Sequence, residues 1–137
     1  MKVFCSYAYT GEEVAVVAAR MKRVVDALLS QKLGAYCIEF DAGAKLFTEP
    51  HQYVERALRQ MRDCDVVYVV MTSRRRSEGM LMEIGAALVL KKPIVLALHE
   101  SAEGKTYVSE FADVMKTWKT EDDLIATTKE LFDRYAP

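Results

Sequence analysis

The heptapeptide Asp65-Val66-Val67-Tyr68-Val69-Val70-Met71 constrains this chain more than any other segment, because six apolar residues follow the aspartate with no polar alternation. A strand with one wet face alternates apolar and polar residues. One that does not alternate is covered on both faces, as in a parallel sheet sandwiched between helices. The remainder of the chain fits that frame. Residues 2–7 read as a short buried strand. A helix is expected from about Thr10, where Thr10-Gly11-Glu12-Glu13 has the spacing of a capping box, and Val14, Val17, Met21, Val24 and Leu28 recur at three-four spacing. On that helix Glu12, Arg20, Lys22 and Arg23 are expected to stay largely in water. Gly34 closes it, residues 35–40 read as a second strand and residues 41–50 as a loop. Tyr53, Val54, Ala57, Leu58 and Met61 form the apolar face of the next helix. After the central strand come a helix over 79–90, a strand over 93–98, a short helix near 107–114, an edge strand near 115–119 and a final amphipathic helix over 120–135. Strand and helix alternate without repeats or linkers, so the expectation is a single domain over residues 1–137. Its class is α/β: a three-layer sandwich, flavodoxin- or Rossmann-like, with about five parallel strands.

Composition narrows the function classes. Of 137 residues, 51% are hydrophobic and 28% charged, with 19 Lys+Arg against 20 Asp+Glu and a net charge of −1. A balance so near zero, with no long basic stripe, argues against a nucleic-acid polymer as partner and towards a small ligand or another protein. No apolar run approaches the roughly 18 to 20 residues of a membrane span. The first residues, Met-Lys-Val-Phe-Cys, lack the long apolar stretch of a signal peptide, so a cytoplasmic location and no membrane partner are expected. Cys5, Cys37 and Cys64 are widely spaced, with no C-x-x-C pair, and read as reduced core thiols. His51 and His99 belong to no metal spacing, so neither a metal nor an organic cofactor is expected.

Ligands of open parallel sheets bind beyond the carboxyl ends of the strands, where strand order reverses. That rule nominates the loops at 6–11, 41–48, 72–79 and 99–105. One helix beside them departs from a plain core helix: Ser77-Glu78-Gly79-Met80-Leu81-Met82-Glu83-Ile84-Gly85-Ala86-Ala87. Glu83 shares its face with Gly79, Met80, Ala86, Ala87 and Leu90, so a carboxylate sits among small and apolar groups. Burial there raises its proton affinity unless a donor compensates. Such a group suits nucleophilic or electrostatic work; the alternative is a partly exposed glutamate at the helix rim.

The pattern S-x-G-x-x-x-E-x-G-x-A followed by K-P-I, together with the first strand and its loop and the apolar third strand, resembles the nucleoside 2-deoxyribosyltransferase superfamily over nearly the whole chain. Within it, the segment is most similar to 2′-deoxynucleoside 5′-phosphate N-hydrolases and CMP hydrolases. The resemblance implies that Glu83 attacks the anomeric carbon, releasing the base and leaving a glycosyl ester. It implies Ser77 and Gly79 at the 5′-phosphate, a serine being compatible with a dianion where the transferases carry an aspartate; Ser77 also reads as a plain N-cap. Ser109, in Gly104-Lys105-Thr106-Tyr107-Val108-Ser109-Glu110-Phe111, matches a serine that reaches the phosphate of the neighbouring subunit in a homodimer; an ordinary cap or exposed serine is the alternative. Ser6, Tyr7 and Tyr9 fall in the first loop, near the sugar and Glu83, with Tyr7 as a catalytic candidate. Of Arg74, Arg75 and Arg76, Arg76 is the expected phosphate contact.

Two departures stand out. The arginine of the hydrolases' first loop is Tyr9 here, and the family aspartate eight residues before Asp65 falls on Ala57. Glu55 points elsewhere on its helix, about 200° away, which leaves Glu39 or Asp41 as substitutes. Asp65 itself is expected to tether the strand start. The implied function is an N-glycosidase acting on a (deoxy)nucleoside 5′-monophosphate. Base exchange between nucleosides, noncatalytic nucleotide binding and a TIR-like NAD cleavage are the alternatives.

Overall fold

The computed structural model describes residues 1–8, 11–75 and 77–137. Its centre is a five-stranded parallel sheet: β1 (Lys2–Tyr7), β2 (Gly34–Tyr36), β3 (Val66–Met71), β4 (Ile94–His99) and β5 (Val114–Trp118), in the order β2-β1-β3-β4-β5. That is the flavodoxin-like order, and its switch point lies between β1 and β3. All six β3 residues are buried. Because side chains alternate across a strand, Val66, Tyr68 and Val70 enter one core and Val67, Val69 and Met71 the other. The first core is completed by α1 (Val14–Ser30) and α5 (Glu121–Phe132). The second is closed by α2 (Pro50–Arg62), α3 (Glu78–Val89) and the single turn α4 (Val108–Phe111). The expected three-layer sandwich is therefore present.

Two aspartates set strand register by the same device. Asp65, just before β3, accepts from the Lys2 amide at 2.7 Å while its own amide donates to the Lys2 carbonyl at 2.8 Å. Asp113, just before β5, accepts from the Ile94 amide at 2.8 Å and donates to the Ile94 carbonyl at 2.8 Å. Each carboxylate satisfies the amide at the start of the neighbouring strand, which would otherwise lack a ladder partner. Asp65 is thus a tether, as its sequence position suggested.

Several local expectations are corrected. The second strand ends at Tyr36 and the chain continues as 3-10 turns over Ile38–Phe40 and Ala42–Leu46. Asp41 organises this departure: its carboxylate receives the Tyr36 hydroxyl at 2.8 Å, the Gly43 amide at 3.1 Å and Arg56 at 2.7 and 3.2 Å. The first helix begins at Val14, with Glu13 as an N-cap whose side chain makes no capping bond; Thr10 lies outside the described residues. Glu12 is not in the cap because Arg20 holds it through two bonds of 2.8 and 3.0 Å, and Thr72 donates to it at 3.2 Å. Arg20, expected in water, is therefore only 9% exposed. Its ion pair ties α1 to the loop after β1, and the Thr72 bond to Glu12 ties that loop to the end of β3.

The three thiols are free and buried, as read from their apolar settings, and burial raises the proton affinity of each, that of Cys64 to about 11. Among the described residues no helix is long and apolar enough to cross a membrane.

Candidate active site

The strand period explains what gathers at the switch point. Phe4 faces the layer of α2 and α3, so Ser6, two residues on, faces the same way. Ser6 is fully buried, and its hydroxyl donates to the Glu83 carboxylate at 2.8 Å. Glu83 is half-buried in the second turn of α3, and among the described residues no cation pairs with it. Loss of water lifts its proton affinity to about 7, against the opposing hydrogen bond from Ser6, which favours the ionised form. At neutral pH the group is thus divided between acid and carboxylate. Removal of the Ser6 donor in Ser6→Ala is expected to move the Glu83 titration upward by about one pH unit. A carboxyl-sensitive NMR titration that found it unchanged or lowered would contradict this reading of the pair.

Glu83 opens into a cavity of about 430 Å3 between α2, α3 and the end of β1. Tyr53, Val54, Ala57, Leu58 and Met61 of α2 form one wall; Ser77, Gly79, Met80 and Met82 flank the carboxylate; Tyr7 and Ile38 close the end. It is an apolar chamber with a few polar groups at one side, the usual make-up of a small-molecule site. Ser77 caps α3, its hydroxyl accepting from the Met80 amide at 3.4 Å, and this capped first turn lines the cavity through Ser77, Gly79 and Met80. The Tyr7 hydroxyl donates to Glu39 at 3.4 Å. Burial, with Cys37 next in importance, raises its proton affinity far above the usual phenol range. Tyr7 is therefore held in its neutral phenol form around neutral pH.

The structure brings Glu83, Ser6, Tyr7, Ser77 and Gly79 to one place. Tyr9 and Arg76, both expected at the ligand, lie outside the described residues. Ser6 stands differently from its expected substrate contact, since its hydroxyl is spent on Glu83. Ser109 is not in the Glu83 cavity of its own chain: its hydroxyl donates to the Thr106 carbonyl at 3.1 Å and it lines a separate cleft. Ala57 sits in the cavity wall, so the missing aspartate leaves an apolar surface there. Asp41 does not replace it. The Arg56 guanidinium holds the Asp41 carboxyl below the usual carboxylate range, and its side chain is only 7% exposed. Glu39 reaches the site only through Tyr7. Sequence reading missed the Ser6–Glu83 bond, although alternation along β1 carried the signal. It also missed Met82 as a wall, for which no signal existed.

The model of the nucleoside 2-deoxyribosyltransferase family matches residues 9–117, more than half of the chain. Among solved structures, a CMP N-glycosidase, BcmB, from Clostridium botulinum is 19% identical, with 98% of this chain and 99% of that one covered and a TM-score of 0.71. BlsM, also 19% identical, is covered to 94% against 99% of this chain, with a TM-score of 0.71. A 2-deoxyribosyltransferase from Bacillus psychrosaccharolyticus is 16% identical over 93% of this chain and 96% of that one, with a TM-score of 0.61. At these identities the likeness concerns the fold. None of the curated proteins matches this sequence. The family match covers more than half of the chain and the parallel sheet fits the architecture of the solved neighbours, so the chain belongs to the nucleoside 2-deoxyribosyltransferase family.

Proposed function

We propose that this protein is an N-glycosidase that hydrolyses the base–sugar bond of a (deoxy)nucleoside 5′-monophosphate, with Glu83 as nucleophile. The observation that carries the proposal is the Glu83 carboxylate itself: held by Ser6, unpaired with any described cation, and facing an apolar cavity at the sheet's switch point. In the reaction, a Glu83 oxygen bonds to C1′ as the C1′–N bond breaks. The bonding electrons leave with the base, whose ring nitrogen takes up a proton. Positive charge develops on the sugar ring, and an adjacent carboxylate in a poorly hydrated cavity stabilises it strongly. Water then cleaves the glycosyl ester, releasing the sugar phosphate and regenerating Glu83. Tyr7, whose proton goes to Glu39, offers its phenol oxygen as an acceptor near the sugar, Ser77 and the amides at Gly79 receive the 5′-phosphate, and the apolar wall from Tyr53 to Met61 receives the base.

In this proposal Ser109 acts in a homodimer, where it completes the partner's phosphate site. Ala57 withdraws one proton-handling group of the family pattern, so the leaving base must be protonated by solvent. Only ionised Glu83 attacks, so kcat/KM for a nucleotide is expected to rise with pH through about 7, the value set by its burial. The primary test is chromatographic: incubation with a panel of ribo- and deoxyribonucleoside 5′-monophosphates should liberate free base from at least one. Release from none, with binding retained, would replace catalysis by nucleotide binding alone. Free base added as acceptor would reveal transfer through formation of a new nucleoside.

A further inference from the structure

A second cavity, of about 530 Å3, lies on the other side of the first turn of α3 from the Glu83 cavity. Met80 walls both. Its rim carries Arg74 and Arg75 from the loop after β3, and Lys105 and Thr106 from the segment before α4. Among the described residues, Arg74, Arg75 and Lys105 form no ion pair, whereas Arg20, Arg23 and Arg56 are each matched with a carboxylate. Glu110 is the one acidic residue on the rim. The cleft therefore concentrates positive charge beside the first turn of α3, whose Met80 it shares with the Glu83 cavity.

The local backbone supports that arrangement. Gly11 adopts φ +80°, and a Cβ there would run into the Arg75 guanidinium, so the absence of a side chain lets Arg75 lie across the first loop. Gly104 adopts φ +72° immediately before Lys105, turning the chain back at the cleft edge. The Thr106 hydroxyl oxygen accepts from the Val108 amide at 3.2 Å, which leaves its proton to donate to a ligand. The planar guanidinium fork of Arg74, the Lys105 ammonium and the Thr106 hydroxyl suit the several oxygens of a phosphate group, while Arg75, lying over Gly11, adds its charge at the rim. Ser77 and Gly79 line only the Glu83 cavity, so a single 5′-phosphate held there leaves the Arg74 and Lys105 cleft available to a further phosphate.

We infer that the Arg74, Arg75 and Lys105 cleft is a subsite for a distal phosphate, so that the protein also takes a nucleotide that carries a pyrophosphate, as in a nucleoside 5′-diphosphate. The inference rests on the nucleotide reading of the Glu83 cavity and extends its substrate class beyond monophosphates. Titration calorimetry of the intact protein with inorganic phosphate and inorganic pyrophosphate tests it without any need for turnover. Pyrophosphate should bind at least about tenfold more tightly, and Arg74→Ala and Lys105→Ala should each weaken it by about tenfold while weakening phosphate less. Both side chains are exposed, so the fold tolerates their removal. Raised salt should erode the preference, because the pairs are solvent-accessible. Equal affinity for the two anions, or a preference untouched by both substitutions, overturns the subsite. Failure of base release from every nucleotide, with the pyrophosphate preference intact, would overturn the glycosidase reading and leave the subsite standing.

Discussion

Glu83→Gln is expected to abolish base release while making the protein more stable above neutral pH. The amide keeps the shape of the carboxyl and can still accept from Ser6, so the cavity should persist. It cannot form the glycosyl ester. Loss of a covalent nucleophile that acts with its positioned neighbours costs at least about a thousandfold in kcat. Retention of full activity on the best nucleotide would sink the mechanism outright.

The stability effect follows from the same burial. The folded protein holds the Glu83 proton up to about pH 7, whereas the unfolded chain releases it near the model-compound value of 4.5. Between those values the native state binds more protons than the unfolded one, so stability falls as pH rises. This stabilisation is fully present below 4.5 and lost by the time pH has passed about 7. Above that, the wild-type fold bears an uncompensated charge costing up to about 3 kcal/mol, and glutamine does not bear it. The variant should therefore melt several degrees higher than wild type at pH 8, with the gap shrinking towards pH 5. Thermal melts across that range decide it: a variant less stable at pH 8 would show that the site does not destabilise the ionised group. Greater stability with lost turnover is the pattern expected where an active site holds a charge at the expense of the fold.

Phe132→Ala is the substitution expected to damage the fold most without touching the site. Phe132 is fully buried at the end of α5, and its ring meets Tyr68 of β3 edge-on, with centroids 4.9 Å apart. The Thr128 hydroxyl donates to the Leu124 carbonyl at 2.8 Å, so the Tyr68 hydroxyl, 2.7 Å away, donates to Thr128. Removing the ring opens a cavity between the central strand and its last helix and loosens the packing around that buried polar pair. The expected loss is about 3 to 5 kcal/mol, against about 1 kcal/mol for Phe132→Leu, which keeps most of the volume. Urea unfolding midpoints measure both. Because this core lies on the opposite face of the sheet from Glu83, KM should be unchanged for whatever fraction remains folded. An alanine variant as stable as the leucine one would mean that α5 collapses freely onto β3.

The architecture was legible because its signals are local and periodic. An unbroken apolar run over Val66–Met71 requires cover on both faces, and alternating helical and strand periods supply that cover. Glu83 was marked by spacing as a carboxylate among apolar helix positions, with a helix-rim glutamate as the alternative, and the family resemblance singled it out. Failures came where one side chain acts across a long sequence interval. Arg20 looked solvated because its carboxylate partners Glu12 and Glu121 meet it only in the folded chain. Residues 37–40 looked like strand because the contacts of Asp41 with Tyr36 and Arg56 cannot be read from hydropathy.

By itself, then, the sequence determined a doubly covered parallel sheet, the helix on which Glu83 sits and the sheet edge at which that helix opens, since these follow from residue periods and strand polarity. Only the tertiary structure decided what surrounds that carboxylate. The hydroxyl of Ser6 reaches it across 77 positions of chain, Ala57 turns one wall apolar, and Arg74, Arg75 and Lys105 gather round a separate cleft. Burial, proton affinity and charge concentration depend on distances through space, and a linear pattern specifies those only once the helices have closed over the sheet.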